Sequence, residues 1–532
     1  MKHLINKLRI TPSLGAGSFY NRIKSLHPLR GLGGLVLAVL LLPGLSGLAN
    51  NIQVSNISVA SRNSASKYVI VQFDLSWDNS FRITNGAVEN WDAAWVFVKY
   101  RKSGDANLGY FHGTLGASAS HVIPTGFKAD QPTDNKGVFI YRSAVGTGNN
   151  TLSGVKMRWD YGTDGLDSVN VVDFQVLAIE MVNVPQGSFW VGSGGIETGS
   201  LTDGSWSSGN SIPFQITSEA AINVGTGTGK LYCTANSGNS AITTGTLPAA
   251  FPKGYNSFYC MKYEITQKGY VDFLNTLTRA QQVTRVPYIS ANNYIISNGT
   301  TLSYRNAIRN PAVIPADPSP VTFFCDYDND GVGNETTDGM NIACSYLNEW
   351  DLKAYLDWAA LRPMTELEYE KAARGTAYPT IDDYAWGASN PILATNATDG
   401  GKDSEIATNA TANIVSSGSG TGGPLRVGFA STSTSKRYQS GGSYWGIMEL
   451  SGNLEERVFS INYTAVTNTC GDGILATNGD ANATFNGTYL GWKGGSYAHV
   501  ITDGKISDRN VTSYVNSNRY YYVGGRGVRQ AP

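Results

Sequence analysis

Three acids at alternate positions offer the plainest metal chemistry in this 532-residue chain. Asp326-x-Asp328-x-Asp330-Gly331 sets oxygen ligands at positions 1, 3 and 5, and a glycine at position 6, of an EF-hand-type calcium loop. Thr337 stands where the bidentate Glu of such a loop belongs, with Asp338 beside it. Cys325 and Cys344 flank the segment and are placed to staple it. The same spacing also suits a plain acidic turn, and both readings stand at this level.

Recognition chemistry is concentrated at the C-terminal end. Tyr497, His499 and Asp503 are followed by Asn510, Tyr514, Asn516, Asn518, Tyr520, Tyr521 and Tyr522, around fixed Gly and Arg residues. Tyr supplies large rigid contact area, and Asn and Ser adapt their hydrogen bonds, which is the chemistry of a paratope. Packing of the segment into its own domain is the alternative, with Arg509 and Arg526 expected in buried ion pairs. Other chemistries are poorly served. After residue 49 the histidines are His112, His121 and His499, too few and too scattered for a Ser-His-Asp triad or a His-rich zinc or iron centre. Gly225-x-Gly227-x-Gly229-Lys230 lacks the spacing and the strand–helix frame of a phosphate loop.

The elements that must position these residues belong to an exported, strand-rich protein. Charged residues are only 15% of the chain, glycine is 61 of its 532 residues and aromatics are 11%, which excludes a charged disordered chain and a coiled coil. Residues 1–49 hold Lys2, Lys7, Arg9, Arg22, Lys24 and Arg30, no acid, an apolar run from Leu32 to Leu42, and Gly47-Leu48-Ala49 as a cleavage site. This reads as a secretory signal, since the run is far short of the ~20 residues a membrane span needs. Its removal takes six basic groups from a chain with 40 basic and 41 acidic residues, leaving a net charge of −7. No Lys/Arg cluster follows, so nucleic acid is not expected as a partner and no later segment is long enough to span a membrane. In an exported chain, disulfides are the default for its five cysteines, and sequence proximity favours Cys233–Cys260 and Cys325–Cys344, with Cys470 left over.

Residues 50–180 alternate apolar and polar in runs such as Tyr68-Val69-Ile70-Val71-Gln72-Phe73 and Ala94-Trp95-Val96-Phe97-Val98, which predicts a β-sandwich. Residues 181–532 predict few helices and long loops. Helices are expected from about Gln267 to Asn275, capped by Thr266, and near Glu349–Ala360. A third follows Thr365-Glu366-Leu367-Glu368, a capping box, and stops at Gly375.

Seven segments, in order, resemble the formylglycine-generating enzyme family, the sulfatase-modifying factor domains. They are Val184 to Phe189 (VPQGSF), Tyr259 to Gln267 (YCMKYEITQ), Arg362 to Gly375 (RPMTELEYEKAARG), Tyr384 to Gly387 (YAWG), Trp445 to Asn453 (WGIMELSGN), Lys493 to Tyr497 (KGGSY) and Gly524 to Arg529 (GGRGVR). Each is weak alone; their order over about 350 residues makes the match specific, and residues 50–180 lie outside it. The resemblance implies an α+β class with a C-type-lectin-like domain, bound calcium, and oxidation of a sulfatase cysteine. It implies a calcium loop at Gly452-Asn453-Leu454-Glu455-Glu456, with Asn453, the Leu454 carbonyl and Glu456 as ligands. Glu455 and Arg457 replace the two Trp that flank that Glu in the family. A second family site would involve Asn413-Ile414, but the Asp expected downstream is not evident near Val427-Gly428.

The family's cysteine pair follows its KGGSY-like segment. Here that segment continues Ala498-His499-Val500-Ile501-Thr502-Asp503, and no cysteine follows Cys470. Thiol-based oxygen chemistry needs a thiolate to bind copper, so copper is not expected. The tail also resembles the variable tails of retroelement-diversified lectin-fold proteins. The expectation is therefore a secreted, calcium-stabilised binding or adhesion protein, its C-terminal surface recognising a protein or glycan. The alternatives are a formylglycine-generating oxidase and a structural cell-surface component.

Overall fold

A computed structural model describes residues 6–9, 51–86, 88–105, 107–205, 211–234, 244–432 and 434–532. Apart from Asn6–Arg9, a short strand paired with Val171–Phe174, the expected signal segment lies outside the described residues. Of its strands, β1 (Gln53–Asn63), β2 (Tyr68–Asn85) and β5 (Gly146–Trp159) pair antiparallel, while β3 (Val88–Lys102) pairs with β4 (Val138–Arg142) and β6 (Val171–Val184). A hairpin joins β2 to β3 and carries the chain from one layer to the other. Alternate β2 residues, Val69, Val71, Phe73, Leu75 and Trp77, point inward onto Ala94, Val96 and Val98 of β3 and onto Val172, Phe174 and Val176 of β6. Period-2 patterning thus builds a two-layer core.

The apolar run of β3 is continuous because both its faces are covered. Its other set, Ala93, Trp95 and Phe97, joins a second core with the C-terminal half, where Trp95 Nε1 donates to the Ala359 carbonyl at 2.9 Å. The halves also share backbone pairing. The last residues of β6 pair with β7 (Phe258–Met261), which pairs with the C-terminal strand Gly527–Gln530, and that strand pairs with β8 (Arg362–Pro363). A domain boundary at residue 180 therefore falls inside a strand, because β6 is long enough, at 14 residues, to serve both units.

Helices are few. Among the described residues the α-helices are α1 (Gln267–Leu274), α2 (Arg279–Arg285), α3 (Glu349–Trp358), α4 (Glu366–Arg374) and one turn at Arg437–Ser440. Thr266 caps α1 and Asn348 caps α3. The capping box of α4 forms as its sequence requires. Thr365 Oγ1 accepts from the Glu368 amide at 3.1 Å, and Glu368 Oε2 accepts from the Thr365 amide at 2.9 Å. Gly375 ends the helix at φ 76°, where a Cβ would sit 2.2 Å from the Tyr444 ring. The α2 helix, with its own Thr278–Gln281 capping box, was not anticipated from the sequence.

The expected disulfides are not formed: all five cysteines are free thiols. Cys233 and Cys260 belong to different core clusters. Cys325 and Cys344 share one cluster, yet Cys344 Sγ donates to the Ser345 carbonyl at 3.7 Å, as Cys260 Sγ does to the Met261 carbonyl at 3.5 Å. These cysteines pack as small apolar side chains. Burial pushes the Cys260 thiol up to about 12.

Candidate binding site

A small three-stranded sheet carries the C-terminal residues. Strand β9 (Glu455–Val458) pairs antiparallel with β10 (Gly491–Lys493) and parallel with β11 (Val523–Gly524). Alternation along β9 sends Glu456 and Val458 to one side and Glu455 and Arg457 to the other. On the inner side, Glu456 accepts two bonds of 2.6 Å from Arg526, and both residues are buried. On the outer side, Arg457 lies over the Trp492 ring at 5.5 Å. It donates to the carbonyls of Leu347, Asn516 and Asn518 at 3.1, 3.2 and 3.3 Å, so it holds the Asn516–Asn518 loop in place.

That outer side opens into a cavity of about 230 Å³. Six of the ten residues expected for recognition line it: His499, Asp503, Asn510, Tyr514, Tyr520 and Tyr522. Tyr520 and Tyr522 stack at 5.1 Å, and His499 meets the Tyr522 ring edge-on at 4.5 Å. Asn516 and Asn518 are not in the lining but bond to it, their amides donating to the Tyr520 hydroxyl at 2.9 and 3.3 Å. Tyr497 and Tyr521 do not line this cavity. They cluster with Tyr304, which stacks on Tyr521 at 4.1 Å. The expected single tyrosine face is thus two aromatic groups.

The cavity also contains Glu455, Trp492, Lys493 and Asp508, which were not nominated from sequence. Glu455 carried a signal, since it replaces a Trp of the family pattern. It is 3% exposed. One carboxylate oxygen lies 3.4 Å from His499 Nδ1 and the other has no partner. Burial, reinforced by Asp503 and Asp508, raises its pKa well above the carboxylate range, and burial lowers that of His499. Asp508 is pushed up to about 6, chiefly by burial. No cysteine lines the cavity. A larger cavity, of about 370 Å³ between residues 107–111 and 473–477, is lined by only one Arg and one Asp among its charged residues.

The calcium loop expected at Asn453, Leu454 and Glu456 is a packed node of hydrogen bonds instead. Asn453 Oδ1 accepts from the Leu425 amide at 2.8 Å, and its Nδ2 donates to Glu264 at 2.5 Å. The Leu454 amide donates to Glu264 at 2.9 Å. With both Glu456 oxygens on Arg526, the side-chain oxygens needed for a cation are already engaged. The second acidic loop differs. Asp326, Asp328 and Asp338 bring carboxylate oxygens within 4.8 Å of one another. Asp326 Oδ1 and Asp338 Oδ1 are buried without partners. Asp326 Oδ2 accepts from the Gly331 amide at 3.2 Å and is paired with the Arg309 guanidinium, and Asp338 Oδ2 accepts from the Glu335 amide at 2.6 Å. Asp330 points elsewhere: its Oδ1 accepts from the Val332 amide at 2.7 Å. Asp338 thus takes the place expected for Asp330. Two orphaned hard oxygens and a third acid suit Ca²⁺ chemistry.

The family model for the sulfatase-modifying factor enzyme 1-like domain matches residues 175–531, more than half of the chain. The chain belongs to this family. The match begins within β6, the strand that serves both halves. No curated protein matches the chain. No helix among the described residues is long and apolar enough to cross a membrane.

Proposed function

We propose that the chain is a secreted, calcium-stabilised binding protein that uses a sulfatase-modifying factor scaffold for recognition of a protein or glycan. The observation that carries this reading is the cavity beside β9. Its aromatic walls and acidic floor, with no cysteine in the lining, offer contact area and hydrogen-bond acceptors rather than sulfur redox chemistry. Asp326, Asp328 and Asp338 would hold the calcium ion and clamp the loop from Phe324 to Gly339. Support comes from the two buried, unpartnered oxygens there, which otherwise cost ~1–3 kcal/mol each.

A screen of the full chain against glycans and cell-surface proteins tests recognition. The Tyr520→Ala/Tyr522→Ala variant is expected to lose the partner found, and equal binding by that variant refutes the reading. Calcium is tested by melting with and without a chelator. The parent midpoint should fall and the Asp338→Asn midpoint should not respond; an unresponsive parent refutes the calcium site.

A further inference from the structure

We propose that the cavity beside β9 receives a cationic side chain, a lysine ammonium or an arginine guanidinium, from a protein partner. The inference rests on the recognition reading above and narrows its ligand class. The floor is acidic: Glu455, Asp503 and Asp508 line one cavity of about 230 Å³. Glu455 is the key group, fully enclosed, with one oxygen unpartnered. The positive groups nearby are occupied. Lys493 Nζ donates to the Asp508 carbonyl at 2.8 Å and lies 3.8 Å from Glu370. Arg457 is tied to three backbone carbonyls. His499 is held toward its neutral form by burial. The acids themselves are pushed toward protonation, the condition of carboxylates awaiting a counter-charge.

A bound metal ion is a poorer fit. Among the described residues, the group of acids close enough to share one ion is Asp326, Asp328 and Asp338, not this floor. Acids spread over a cavity suit a larger organic cation. The walls complete the match: Trp492, Tyr514, Tyr520 and Tyr522 present rings to an aliphatic stem and a cation. The amides of Asn516 and Asn518 donate to the Tyr514 and Tyr520 hydroxyls. The three acids of the floor offer acceptors that suit a charged donor group on an apolar stem, and Trp492 Nε1 is a buried donor without a partner.

The experiment uses the full chain and four short peptides: lysine, arginine, Nε-acetyl-lysine and citrulline at one central position, with glucosamine alongside. The lysine or arginine peptide should bind and its neutral counterpart should not. Glu455→Gln should weaken that binding about ten- to hundredfold, the loss of one charge-assisted contact. Asp503→Asn, at a half-buried position, serves if the first variant does not fold. Equal binding of charged and neutral peptides, binding of glucosamine alone, no peptide binding, or indifference to both variants overturns the inference. If the peptides fail while a partner from the screen still depends on Tyr520 and Tyr522, the cation assignment falls and the recognition surface stands. If that partner ignores the tyrosine variant, the surface reading itself falls.

Discussion

Replacing Arg526 by Met should be among the most damaging single changes in the chain. The guanidinium is wholly buried and donates twice to Glu456, at 2.6 Å each, and to the carbonyls of Met261 and Lys262 at 3.2 Å each. Removing it leaves the Glu456 carboxylate enclosed beside Glu264, whose own pKa is raised by burial and then by Glu456. Breaking one partner of such a pair costs ~3–5 kcal/mol. At ~2 °C per kcal/mol for a large domain, the melting midpoint should fall by ~6–10 °C. Circular dichroism melts of the full chain at pH 7 measure this. The Glu456→Leu/Arg526→Met double variant removes both charges and should recover most of the loss. A single-variant drop under ~2 °C, or a double variant as unstable as the summed singles, refutes the assignment of Glu456 to an ion pair. The same samples separate the pair from a calcium ligand. Glu456→Gln should leave the chelator effect intact, and its disappearance would return Glu456 to a metal site.

Three further outcomes follow from the packing. Thiol titration without reductant should find five reactive cysteines in denaturant and, in the folded chain, only half-buried Cys470; fewer than five in denaturant would restore a disulfide. Glu180 is buried 3.3 Å from Lys262, and burial pushes its carboxyl up to about 7. A raised carboxyl favours the fold below its unfolded value and loses that advantage as pH rises through about 7. Glu180→Gln should therefore gain on the parent by ~1–3 kcal/mol between pH 5 and pH 8, and a pH-independent difference contradicts this. Trp95→Ala should cost ~3–5 kcal/mol, because it empties the contact between halves and strands the Ala359 carbonyl. A loss below ~1 kcal/mol would show that the halves do not depend on this contact.

The family, the strands of the N-terminal unit, the helix α3 and the caps of α1 and α4 were legible in the sequence. Each is a local pattern: period-2 alternation, an apolar helical face, a Thr before an apolar run, or a string of motifs in fixed order. Six lining residues of the cavity were legible too, because recognition draws on residue types that stand out by composition. Tertiary structure alone decided which polar atoms remain free. Asn453 and Glu456 looked like cation ligands until Leu425, Glu264 and Arg526, remote in the chain, engaged their atoms. Asp330 yielded to Asp338 because the loop folds back, and the cysteines are free thiols, Cys260 and Cys344 donating to neighbouring carbonyls. A residue's type and spacing follow from its neighbours in the chain. Whether its lone pair is available depends on donors brought from elsewhere, and only the folded chain sets that.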